Sequence, residues 1–152
     1  MATKKKVGIK VPTKNEILKK YGSMIIQASD TKEPGLWLPS TFFNLNYTLG
    51  GGFPWGKVTE IAGEESSGKT LIALNAAYAC QQLGGSVIWV DAEQSWMNSW
   101  AELNGIDPNK VTVIRDTRIE YISDAVADVA IYLRSQLVNN EPILLVVDSV
   151  AA

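Results

Sequence analysis

The sequence contains no histidine, and that absence removes His-based triads, His metal ligands and His general bases together. Any proton transfer has to fall to a carboxylate or a lysine. Cysteine is nearly absent too. Cys80 stands alone, so no internal disulfide forms, and its neighbours Tyr78, Ala79 and Leu83 read as a packed helix rather than a reactive site. Long apolar runs are missing: stretches such as Ile143 to Val147 fall far short of the roughly 18 residues that a membrane-spanning helix needs. The lysine-bearing start, Met1 to Lys10, is not followed by the apolar stretch of a secretory signal. These absences predict a cytoplasmic protein with no membrane contact.

What remains is ordinary for one soluble globular domain: 152 residues, 46% hydrophobic and 20% charged. The net charge of −2 conceals an asymmetry. Residues 1–20 hold seven lysines and one acid, whereas residues 21–152 hold seven basic and fifteen acidic residues. The body is acidic and the arm basic, and such an arm suits contact with nucleic acid or a neighbouring subunit. A solvated, coreless tail is the plain alternative.

Asn15 to Gln27 carries a loosely amphipathic pattern that predicts a short helix broken near Gly22, and residues 29–40 read as a linker. The expected division is therefore a basic arm with a short helical segment at 1–35 and a core at 36–152. From Lys57 onward strands and helices alternate. Val58 to Ala62, Val87 to Val90, Val111 to Ile114 and Ile143 to Val147 read as strands, the last apolar enough to be buried on both faces of a parallel sheet. Leu71 to Leu83 reads as a helix stopped by Gly84-Gly85. Ser95 to Asn104 reads as a second helix, with Trp96, Trp100 and Leu103 on one face. A third opens at a Thr117/Glu120 capping box and ends before Pro142. The alternation predicts an α/β fold with a mainly parallel sheet.

Gly63-Glu64-Glu65-Ser66-Ser67-Gly68-Lys69-Thr70 satisfies the P-loop pattern between a predicted strand and a predicted helix. The glycines let backbone N–H groups close around phosphate at a helix N-terminus. Lys69 supplies a point charge for the β- and γ-phosphates of ATP, and the Thr70 hydroxyl is a ligand for Mg²⁺. Asp148, behind five apolar residues, falls at the carboxyl edge of the sheet and is the Walker B candidate for Mg²⁺. Glu93 lies just past the second strand on the same edge, where a carboxylate can orient water and accept its proton. Two other readings stay open there: Glu93 as an acid favoured by a helix N-terminus, and Asp91 as the base.

The runs from Glu64 to Thr70, Val90 to Glu93 and Val146 to Ala152, with Leu49-Gly50-Gly51-Gly52 and Gly105-Ile106-Asp107 in matching order, resemble the RecA-like recombinases, including phage relatives of the UvsX type. The resemblance covers about residues 36–152. It implies a P-loop NTPase core and an ATP-dependent homo-oligomeric filament on single-stranded DNA that promotes homologous pairing and strand exchange in recombination and repair. It also implies that Glu93 is the catalytic glutamate and that Trp100 occupies the place of an aromatic packed on adenine; a core role on the helix face explains Trp100 as well. Family members continue past Val150-Ala151-Ala152 with further strands, a γ-phosphate sensor and two DNA-contacting loops. The resemblance therefore implies a core truncated after the Walker B strand. Other ATPases on this fold, such as hexameric helicases or KaiC-like proteins, a small-molecule kinase and a non-catalytic nucleotide-binding module remain as alternatives.

Overall fold

The computed structural model describes residues 12–24, 35–116 and 118–149. The chain divides into two units between Gly35 and Leu36. In the first, helix α1 (Lys14–Tyr21) is followed by a 3-10 turn at Gly22–Met24. The helix starts at a capping box. Thr13 Oγ1 accepts from the Glu16 amide at 3.3 Å, and Glu16 Oε2 accepts from the Thr13 amide at 2.8 Å, so two of the orphan donors at the helix start are satisfied reciprocally. Gly22, with φ of 53°, ends it. The expected helix beyond residue 24, and residues 29–34 of the expected linker, lie outside the described residues.

The second unit opens on a two-stranded antiparallel ribbon, β1 (Trp37–Leu38) and β2 (Phe53–Pro54), with helix α2 (Phe43–Leu49) between them. Then follow α3 (Lys69–Gln82), β3 (Ser86–Asp91), α4 (Asn98–Leu103), β4 (Val111–Ile114), α5 (Ile119–Gln136) and β5 (Ile143–Asp148). The three longer strands form one parallel sheet in the order β4-β3-β5. Crossover helices join them, as parallel pairing requires. The fold is α/β, with a parallel sheet in the core.

The central strand β3 is the most protected part of the chain, with Val87, Ile88, Trp89, Val90 and Asp91 all at most 1% exposed. Val87 and Trp89 pack with Leu74, Ala77 and Cys80 of α3, Ala101 of α4 and Ile106 into the main cluster, which Val111, Val113, Leu144 and Val146 extend along one face of the sheet. Helix α5 contacts all three strands. A second cluster joins Leu38 and Phe53 of the ribbon to Ala76 and Ala79 of α3. Because it feeds both clusters, α3 is apolar nearly all round rather than striped. Its one buried polar side chain, Gln81, exchanges two hydrogen bonds with the Asp107 backbone at 2.9 and 3.0 Å.

Four expectations need correction. Val58 to Ala62 is not a strand: the segment makes no ladder, and Val58 is 98% exposed. A lone extended segment has nowhere to place its N–H and C=O groups except water, and among the described residues no strand is paired with it. Second, β5 is not buried on both faces. Leu144 and Val146 pack on the core, while Leu145 and Val147 are each 47% exposed, since among the described residues β5 is an edge strand paired only to β3. Third, the helix expected from Ser95 runs only from Asn98 to Leu103. Trp96 precedes it and Leu103 is 84% exposed, so the three apolar residues do not share a buried face. Fourth, Trp37–Leu38 is a strand where the linker was expected, and Phe43–Leu49, to which the sequence pattern assigned no element, is a helix. Thr117 of the expected capping box is outside the described residues; α5 starts behind Arg118 with no side-chain cap bond. Among the described residues no helix is long and apolar enough to cross a membrane.

Candidate functional site

The glycine-bearing loop leads directly into α3. Gly63, Glu64, Glu65, Ser66 and Ser67 are exposed, and Gly68, Lys69 and Thr70 are half-buried where the helix starts. Gly68 is the N-cap, with φ of 92°, a left-handed conformation that a residue with a Cβ adopts only under strain. Ser66 also has positive φ, 57°. The loop is thus a tight reversal that presents backbone to solvent in front of a 14-residue helix, the arrangement that gives a helix start its affinity for anions. The Lys69 ammonium folds back over the loop and donates to the carbonyl oxygens of Gly63 at 3.0 Å and Glu64 at 2.7 Å. It is therefore held at the loop's mouth.

The acidic residues gather at the carboxyl ends of two neighbouring parallel strands. Asp91 ends β3 and Asp148 ends β5, directly opposite each other in register, and the Ala92 amide donates to the Asp148 carbonyl at 3.1 Å. Asp148 is half-buried. Glu93, two residues past β3, is exposed, and its carboxylate accepts a short hydrogen bond from the Ser149 hydroxyl. Asp91 has a different environment: its side chain is fully buried, and both oxygens are occupied by Ser95, Trp96 and Arg115. Of the two carboxylates considered for a base, only Glu93 faces solvent.

Thr70 and Asp148 line the same small cleft, together with Leu74, Trp89, Ser95, Trp96, Met97 and Trp100. The cleft measures about 10 Å³, scarcely room for one water molecule, so it is a narrow crevice at the start of α3 and not a chamber. Trp96 forms part of its wall, packed on Trp89 with ring centroids 5.0 Å apart and its indole N–H donating to Asn98 Oδ1 at 2.8 Å. Trp100 packs on the core cluster on one side and borders an open groove of about 510 Å³, shared with Met97, Ser99 and Leu103, on the other. Its ring therefore serves the core and still keeps an accessible edge.

The structure thus brings Thr70, Asp148 and Trp100 to one cleft and sets Lys69 over the loop's backbone. Glu93 is tied to Ser149, the residue after Asp148. Three contributions were missed from sequence: Ser149 on Glu93, Arg115 as the partner of Asp91, and Trp96 as a wall of the cleft. Only Ser149 carried a signal, its place directly after a strand-end carboxylate. Among the described residues no group of three or more His, Cys, Asp or Glu side chains is placed to hold a metal ion. One hydroxyl and one carboxylate at a phosphate-type loop nevertheless fit Mg²⁺, a hard cation that takes few protein ligands and completes its shell with water and phosphate oxygens.

Comparison with known proteins agrees with this architecture. The family described as the RecA N-terminal domain matches residues 10–152. Protein RecA of Malacoplasma penetrans is 38% identical over 138 residues, covering 90% of this chain and 40% of that protein. Protein RecA of Bacteroides thetaiotaomicron is 32% identical over 156 residues, covering 100% and 45%. Protein RecA of Chlorobaculum parvum reaches 44% over 109 residues, covering 71% and 29%. The chain therefore spans less than half the length of these curated relatives. On the match across residues 10–152 and these identities, the chain belongs to the RecA family and carries its N-terminal domain.

Proposed function

We propose that the chain binds ATP with Mg²⁺ at Gly63 to Thr70, and that the protein it serves is a DNA-dependent ATPase of homologous recombination that assembles as a homo-oligomeric filament on single-stranded DNA. The observation that carries the nucleotide site is the convergence of Thr70 and Asp148 on one cleft at the start of the helix that the glycine loop opens. Backbone N–H groups of the loop and the N-terminus of α3 bind the phosphates, and Lys69 exchanges its two carbonyl partners for phosphate oxygens. Thr70 and Asp148 hold Mg²⁺, which supplies charge neutralisation at the phosphates. Glu93, exposed and steadied by Ser149, orients the attacking water and accepts its proton. Trp100 offers a ring edge beside the cleft for the base. The recombinase role and the DNA partner rest on family membership.

Titrating ATP by calorimetry with and without Mg²⁺ tests the assignment. The wild-type chain should bind ATP more tightly when Mg²⁺ is present. In Asp148→Asn that enhancement should shrink by about 10-fold or more, the usual scale for losing a charged partner, while affinity for metal-free ATP stays. An undiminished Mg²⁺ enhancement in Asp148→Asn would remove Asp148 from the site.

A further inference from the structure

We infer that Asp91, clamped by Arg115, is a positioning residue that fixes the loop carrying Glu93; the inference rests on the nucleotide-site reading above. The Asp91 side chain is 0% exposed, and a carboxylate removed from water is tolerated only when its lone pairs are taken up. Here they are. Oδ1 accepts from the Ser95 amide at 2.8 Å and the Ser95 hydroxyl at 3.4 Å, and Oδ2 accepts from the Trp96 amide at 3.1 Å and from Arg115 Nε at 3.1 Å. Arg115 Nη2 also donates to the Trp96 carbonyl at 3.2 Å. The far end of the loop is thereby tied back to the residue it departs from.

Glu93 lies inside the ring closed by these bonds. The loop's own backbone adds little: the Gln94 amide reaches the Asp91 carbonyl at 3.3 Å, and Gln94 itself has φ of 54°, which a non-glycine residue adopts only when its surroundings impose it. The first residue of the loop is fixed separately, by the Ala92 amide on the Asp148 carbonyl. Arg115 comes from the residue after β4, on the opposite side of β3 from β5. The loop is therefore gripped from both neighbouring strands. With backbone fixed at both ends, the Glu93 carboxylate is left with side-chain freedom only, and Ser149 holds that. Charge-assisted bonds to two successive amides specify geometry, which a buried apolar residue of the same size does not.

The test compares binding of Mg·ADP alone with binding of Mg·ADP plus aluminium fluoride, which mimics the transferring phosphoryl group with its attacking water. The wild-type chain should bind the fluoride complex more tightly. Arg115 is half exposed, so Arg115→Gln should fold, and should keep Mg·ADP affinity within about twofold. It should lose about 10- to 100-fold of the fluoride complex's affinity, the scale of a misplaced reacting group. Arg115→Lys, which retains the charge, should recover part of that loss. Glu93→Gln should show a similar loss, and the Arg115→Gln/Glu93→Gln double variant should be no worse than Glu93→Gln, because the clamp acts through Glu93. The inference is overturned if the wild-type chain does not prefer the fluoride complex. It is also overturned if Arg115→Gln weakens both ligands alike, or if the two substitutions add. Lys69→Ala binding Mg·ADP like wild type would instead defeat the nucleotide-site reading, and this inference with it.

Discussion

Cys80 lies where α3 meets the sheet, its Sγ 3.5 Å from the Ser86 carbonyl oxygen and 3.7 Å from that of Pro142. Burial pushes its thiol from 9.0 up to about 11, because a thiolate in the core has no water to solvate it. In the unfolded chain the thiol ionises near its ordinary value, so between about pH 9 and 11 the unfolded state holds fewer protons than the folded one, and folding stability falls as pH rises through that window. The loss should reach about 2–3 kcal/mol. Denaturant melts at pH 8 and pH 11 should show it in wild type, and Cys80→Ala should lack that part of the decline; an identical decline in Cys80→Ala would contradict the assignment. Gly85, nearby, shows what single residues conceal. Sequence marks Gly84-Gly85 as a helix stop, but Gly85 is also needed for room. A Cβ there would meet Cys80 Sγ at 2.7 Å and the Pro142 backbone, and Pro142 lies far from it in sequence.

The elements most readable in the sequence are those whose stability is local or whose burial is complete. Val111–Ile114 forms as expected, and β3 and α3 differ from expectation only at their ends, since continuous apolar runs between turn residues leave few alternatives. The segment from Val58 to Ala62 was misread because strand propensity says nothing of a partner. The candidate site divides the same way. The loop from Gly63 to Thr70 and the strand-end acids are sequence-local signals. The Asp91 clamp depends on Arg115, 24 residues away, and could not be read without the pairing of β3 with β4. The roles proposed for the two acids past Val90 are therefore separable by experiment. Glu93→Gln should leave ATP binding intact and lower hydrolysis by roughly 10²–10⁴-fold, the span of a general base, measured as phosphate release wherever this chain, alone or within a longer protein, turns over ATP. Equal losses of binding and hydrolysis would assign Glu93 a structural role.

Charge is distributed over the whole molecule in a way that bears on DNA. Seven lysines and one acid fall within residues 1–20, and the remaining residues carry fifteen acids against seven basic groups, so the part of the chain that carries the proposed nucleotide site repels a polyanion and the basic arm attracts one. Contact between this chain and single-stranded DNA should therefore be weak, sequence-blind and salt-sensitive. Replacing Lys4, Lys5 and Lys6 with Gln should flatten the dependence of log affinity on log salt by about 2, at roughly 0.7 per phosphate neutralised. Fluorescence anisotropy of a labelled oligonucleotide across a salt series measures it, and an unchanged slope would place the contact elsewhere. Nucleotide binding at the loop before α3, as proposed, is tested most directly by calorimetry of Mg·ATP with wild type and Lys69→Ala. Among the described residues Lys69 donates to the exposed Gly63 and Glu64 carbonyls, so its loss should spare the fold, with melting temperature nearly unchanged, while Mg·ATP binding becomes undetectable. Wild-type affinity in a folded Lys69→Ala chain would contradict the account.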